Sequence, residues 1–181
     1  MAVLRADAQR NLERILAAAA DAYADLGDDV TIDEVARRAG VGHGTVCRRF
    51  PTKDALRAAV VSAHLDDLLA HARRLLREAD AGAAVEEFVW AAAERFRRDR
   101  ALLEGLERCG TFADVAAAKQ DLNETLGKLI RRAQRAGAVR SGIDARDVGA
   151  LVSAAIKASA YTDRGDSWRR YVQVVLDGLR P

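Results

Sequence analysis

Two short helical patterns, closed by Gly40 and Pro51, meet with only Val41 and Gly42 between them, and this tight corner restricts the fold more than any other feature of the chain. Glycine takes the left-handed conformation that ends a helix without a Cβ penalty, and proline lacks the amide a helix interior needs. Thr31 opens the first pattern. With Glu34 it fits a capping box, in which the hydroxyl takes one free backbone N–H and the carboxylate takes another. In the second pattern Val46 and Phe50 face inward, while Gly44, Thr45 and Arg48 fall on the opposite side. Beyond Pro51, Thr52 is placed to cap a longer helix that begins at Lys53 and runs through Leu56, Val60, Leu65 and Leu69 to the neighbourhood of Leu76.

The rest of the chain reads as helix too. Leu12, Ile15, Leu16, Ala19, Tyr23 and Leu26 recur at helical spacing ahead of Gly27. Downstream, glycines at 82, 110, 137, 142 and 165 separate apolar-periodic stretches, and Thr111, Asp144 and Ser167 sit where N-caps belong. The spacing predicts helices over 84–98, 100–108, 113–136, 145–162 and 168–179. Alanine, leucine and arginine dominate and there are only 2 prolines, which favours helix over strand. The expectation is an all-α protein of about nine helices, and 181 residues allow one domain or two.

A formal charge of +2 says nothing about partners by itself. Between Arg37 and Arg57, however, the cations are Arg37, Arg38, Arg48, Arg49, Lys53 and Arg57, and Asp54 is the only carboxylate. Cys47 and Cys109 have neither a zinc spacing nor a disulfide pattern and read as reduced thiols. Charged residues interrupt the N-terminal apolar stretch before a signal core forms, and no run is long enough to span a bilayer, so a cytoplasmic location is expected. His64, Asp67 and His71 share a helix face, but helical metal pairs sit three or four apart, so no metal is expected there. With no phosphate loop, nucleophile elbow or HExxH helix, neither catalysis nor a cofactor is expected.

The corner and the charge together suit a helix-turn-helix. In that motif the second helix enters the major groove, which is wide enough for one helix, with its first residues against base edges. Gly44 removes a side chain where backbone and DNA approach closest, Thr45 offers a methyl and a hydroxyl, and Arg48 can reach a guanine edge bidentately. Lys53 stands at a helix N-terminus, where free N–H groups already favour phosphate.

The segment TIDEVARRAGVGHGTVCRRFPTKDAL resembles the DNA-binding domain of the TetR family of repressors in its glycine turn, its GT pair, its phenylalanine and its FPTK junction. The resemblance implies a helix-turn-helix domain over 1–53, followed over 54–181 by a helical ligand-binding and dimerisation domain. It implies a homodimer on double-stranded DNA, with Thr31, Arg49 and Lys53 at phosphates and His43, Gly44, Thr45 and Arg48 near bases. Cys47 stands where the family usually has a tyrosine that contacts phosphate. Arg48 and Arg49 could supply that contact, affinity could be lower, or the thiol could have a role of its own, a redox switch among them; the alternative is a small semi-buried thiol with no function, a neutral replacement of the tyrosine. The function implied is a repressor released from a near-palindromic operator by a small-molecule effector. An activator, a ligand-independent regulator and a helical module without DNA remain the alternatives.

For the second half the resemblance extends only to size and helix pattern. Phe88, Ala92 and Phe96, with Val85 and Val89, share one face, and Leu103, Phe112, Leu126 and Tyr161 are the large apolar residues placed to meet it. Phe88, Ala92, Phe96, Leu103, Phe112, Leu126 and Tyr161 could line an effector pocket or form plain core. Trp90 falls on the opposite face, with no role assigned. The last two helices should form the dimer interface through Ala150, Ala154, Ala155, Ala158 and Ser159, with Tyr171, Val172, Val175, Leu176 and Leu179. Packing within one subunit explains the same stripe.

Overall fold

The structure, a computed structural model, describes residues 2–98, 105, 106, 108–159, 161, 162 and 166–181, with side chains from Asp7 onward. Every regular element among them is helical: α1 (Ala2–Leu26), a 3₁₀ turn (Gly27–Asp29), α2 (Ile32–Ala39), α3 (His43–Arg49), α4 (Lys53–Leu75), α5 (Ala81–Arg98), α6 (Ala113–Arg135), α7 (Ala145–Ser159) and α8 (Ser167–Leu179). The helix expected over 100–108 falls mostly outside the described residues, although Gly105, Leu106 and Arg108 are helical.

Chain packing forms two compact units, one from residues 1–64 and 99–116, the other from 65–98 and 117–181. The core of the first is one cluster in which Ile15, Ala19, Ala22 and Tyr23 of α1 join Val35, Ala36 and Ala39 of α2, Val46 and Phe50, and Leu56 and Val60 of α4. The start of α4 is fixed by Thr52, whose hydroxyl accepts from the Ala55 amide at 3.0 Å. Asp28 carries a small ion cluster here: it pairs with the buried Arg57 and, at 2.7 Å, with Arg108. The Arg57 guanidinium also lies 5.0 Å from the centre of the Tyr23 ring.

In the second unit α5 packs against α7 and α8, which pack on each other. Asp80 caps α5 by accepting from the Gly82 and Ala83 amides, both at 2.9 Å, so the helix begins at Ala81, a turn earlier than periodicity suggested. Asp144 and Asp147 make a reciprocal capping box at α7: Asp144 Oδ1 accepts from the Asp147 amide at 3.0 Å, and Asp147 Oδ2 from the Asp144 amide at 2.9 Å. Ser167 is no cap. It is the first residue of α8, and its buried hydroxyl accepts from Thr162 at 2.7 Å. Trp90 finds its partner in Trp168, edge to face at 6.0 Å, and Arg97 and Arg169 flank the Trp168 ring.

Candidate nucleic-acid interface

The corner forms as its residues dictate. Thr31 accepts from the Glu34 amide at 3.2 Å, and Gly40 ends α2 at φ 63°, ψ 38°, donating to the carbonyls of Ala36 and Arg37. Only half of the expected capping box is made. The Glu34 carboxylate turns the other way, to Arg37 at 2.7 and 2.9 Å and to Arg38 at 2.7 Å, because two guanidiniums within a turn attract it more than one amide does. These contacts pull the Glu34 carboxyl down to about 2. Arg14 of α1 was not anticipated. Its guanidinium donates to the Ala39 carbonyl at 2.6 Å, placing a cation at the negative end of α2.

Val46 is fully buried and Phe50 is 6% exposed, so α3 is pinned to the core by its inner side. Burying two such side chains contributes roughly 1.5–3 kcal/mol each. The outer side is open: His43, Gly44, Arg48 and Arg49 are exposed, and Thr45 and Cys47 are half-buried. A Cβ on Gly44 would meet nothing nearer than Arg48 Nη1 at 3.6 Å, an ordinary contact, so the protein itself does not demand glycine there. Thr45, Arg48 and Arg49 line one wall of an open cleft of about 420 Å³, and Ala8, Gln9, Asn11, Leu12 and Ile15 of α1 line the rest.

The basic patch is smaller than the sequence count of six cations to one carboxylate. Carboxylates from outside the 37–57 window fold back onto it: Glu34 holds Arg37 and Arg38, Asp25 reaches Arg38 at 2.7 Å, and Asp28 takes Arg57. Lys53 donates to the Asp28 carbonyl. Among the described residues, Arg48 and Arg49 alone of the six make neither an ion pair nor a side-chain hydrogen bond. His43 is held at both ring nitrogens, with Nδ1 2.5 Å from Asp33 Oδ1 and Nε2 3.1 Å from Cys47 Sγ.

In the second unit Phe88, Ala92, Phe96 and Leu126 are buried core. Phe112 belongs to the first unit and is 38% exposed; Tyr161 is 90% exposed and so cannot line an enclosed cavity; Leu103 lies outside the described residues. Asp67 pairs with Arg95 at 2.5 Å, and His71 Nε2 lies 3.6 Å from Glu87. The outer faces of the last two helices differ from expectation. Ala155, Val172, Leu176 and Leu179 are spent on the subunit's own core, whereas Ala150, Ala154 and Ala158 are exposed beside Leu151 at 43% and Val174 at 65%. Those two large side chains lie outside the anticipated set.

A short helix fixed by its inner side across a glycine corner, with a polar, cationic outer side, defines a helix-turn-helix DNA-binding transcriptional regulator. Comparison with known proteins agrees. Residues 15–60 match the family described as bacterial regulatory proteins, tetR family, and residues 80–181 match the one described as transcriptional regulator SbtR-like, C-terminal domain. An uncharacterized HTH-type transcriptional regulator of Mycobacterium tuberculosis is 37% identical over 144 residues, covering 77% of this chain and 74% of its own. The crystal structure of a TetR transcription regulatory protein from Mycobacterium vanbaalenii superposes with a TM-score of 0.73 at 38% identity, over 98% of this chain and 99% of its own. At 14% identity, the Bacillus subtilis regulator FadR in complex with stearoyl-CoA shares the fold, with a TM-score of 0.71 over 92% and 96% of the two chains. The chain belongs to the TetR family. It is a regulator and not an enzyme, and none of its described helices is long and apolar enough to cross a membrane.

Proposed function

We propose that the chain is a repressor that binds a near-palindromic operator as a homodimer and leaves it when a small molecule enters the second unit. The observation that carries this reading is the uncompensated outer side of α3. His43, Gly44, Thr45 and Arg48 meet base edges there, and Arg49 meets phosphate with Thr31, Lys53 and the neighbourhood of Cys47. Gly44 supports it further, since the space its missing side chain leaves lies outside the protein.

Dimerisation is supported by the apolar side chains that α7 and α8 leave in solvent: Ala150, Leu151, Ala154, Ala158 and Val174. Leu151→Glu should turn a dimer into a monomer in sedimentation velocity. The effector reading is supported by the FadR fold neighbour, which holds stearoyl-CoA. An effector here enters by parting Phe88, Ala92, Phe96 and Leu126, and α4, which contributes to both units, carries the change to the reading head.

Footprinting on the DNA upstream of the chain's own gene tests the proposal. Protection of two half-sites centred about one helical turn apart, or a multiple of it, is the expected result. Failure to shift that DNA in the absence of competitor would remove the repressor reading. Thermal shift against a metabolite set that includes acyl-CoA thioesters tests the effector, because saturation to a hundred times Kd adds ~2.7 kcal/mol to the native state.

A further inference from the structure

We propose that Asp33, His43 and Cys47 act as orienting group, base and nucleophile, making Cys47 a reaction site for hydroperoxides, and that its oxidation takes α3 off DNA. The second part rests on the DNA-reading role proposed for α3. The first does not.

The three groups come from two elements. His43 and Cys47 are four apart on α3, which puts them on one face, and Asp33 reaches across the corner from α2. With Asp33 Oδ1 2.5 Å from Nδ1, the ring keeps its proton on Nδ1 and turns the Nε2 lone pair to Cys47 Sγ, 3.1 Å away. A nucleophile within reach of a base that is itself oriented by a carboxylate is the arrangement that activates a thiol. The same geometry argues against a metal site. His43 spends both nitrogens inside the relay, and no cluster of three metal-binding side chains occurs among the described residues. Access is open, since the His43 side chain is 56% exposed and Cys47 is half-buried.

The step balances as follows. The Cys47 thiol gives its proton to His43 Nε2, and the imidazolium is held by Asp33. The sulfur attacks one peroxide oxygen; an S–O bond forms and the O–O bond breaks. The departing hydroxide or alkoxide takes the proton from His43 and leaves as water or alcohol. Sulfur is oxidised by two electrons and the peroxide is reduced, leaving a sulfenic acid. A small thiol then condenses with it to a mixed disulfide and water, which puts bulk beside Arg48, and a second thiol restores Cys47.

Cys109 is the control within the same chain: it is 1% exposed, and burial pushes its thiol pKa up. With hydrogen peroxide and dimedone trapping, read by peptide mass, Cys47 should be labelled well before Cys109. His43→Ala should slow that labelling by about tenfold or more, and Asp33→Asn should slow it less. Equal Cys47 rates in wild type and His43→Ala would overturn the relay. On a labelled duplex from upstream of the chain's gene, peroxide followed by a small monothiol should abolish the anisotropy signal, excess dithiothreitol should restore it, and Cys47→Ser should show the same affinity before and after treatment. Unchanged binding by fully oxidised protein would overturn the switch. If untreated protein binds no DNA, the reading of α3 falls, while the labelling rates, taken without DNA, still decide the relay.

Discussion

The two helices of the corner carry arginine pairs in similar positions and treat them in opposite ways. Arg37 and Arg38 close α2 and are tied to Glu34 and Asp25, whereas Arg48 and Arg49 close α3 and project free of any described carboxylate. The first pair therefore stiffens the positioning helix, and the second leaves positive potential where a polyanion can meet it. Charge counted along the chain misses this division, because a carboxylate three residues away cancels more field than a cation ten residues away adds.

The comparison breaks most completely if α3 is loosened from the core. Phe50→Ala should cost about 3 kcal/mol or more of stability by urea denaturation, and DNA binding should fall with it. An unchanged midpoint would show that the corner does not depend on that inner contact. Arg48→Ala is the complement. It should leave the denaturation midpoint in place and weaken specific binding by about 1–3 kcal/mol, with relaxed preference at one base position. Gly44→Ala separates fold from function in opposite directions. Stability should rise by up to roughly 0.5–1 kcal/mol, as alanine replaces glycine in a helix, while affinity for DNA drops because the Cβ occupies the approach. A variant that gained stability and kept its affinity would remove the close approach.

The smallest effect concerns Glu34. Its folded pKa lies below its ordinary 4.5, at about 2, so the stabilisation from Arg37 and Arg38 is fully present above the ordinary value and lost as pH falls toward 2. Wild type should therefore lose stability more steeply than Glu34→Gln over that interval in pH-dependent thermal melts. Parallel curves would mean the pairs do not persist in solution.

Much of the corner was legible because short-range chemistry decides it. Thr31, Gly40, Val46, Phe50 and Thr52 sit where cap, stop and helix period place them. What escaped depends on side chains that meet from far apart in the chain. Arg14 reaching Ala39, Asp28 taking Arg57 and Arg108, and Asp33 holding His43 leave no periodic trace. The apolar stripe of the last helix showed the same limit. Period identifies Val172, Leu176 and Leu179 as one face, but only packing reveals that this face is used internally and that Leu151 and Val174 are left outside.

The most direct test is the salt dependence of DNA binding by two double variants, Arg48→Ala with Arg49→Ala and Arg37→Ala with Arg38→Ala. If α3 carries the free charge, the first should flatten the slope of log K against log salt by about one to two units and the second should leave it near wild type. Equal flattening by both, or a larger loss from the α2 pair, would contradict the account.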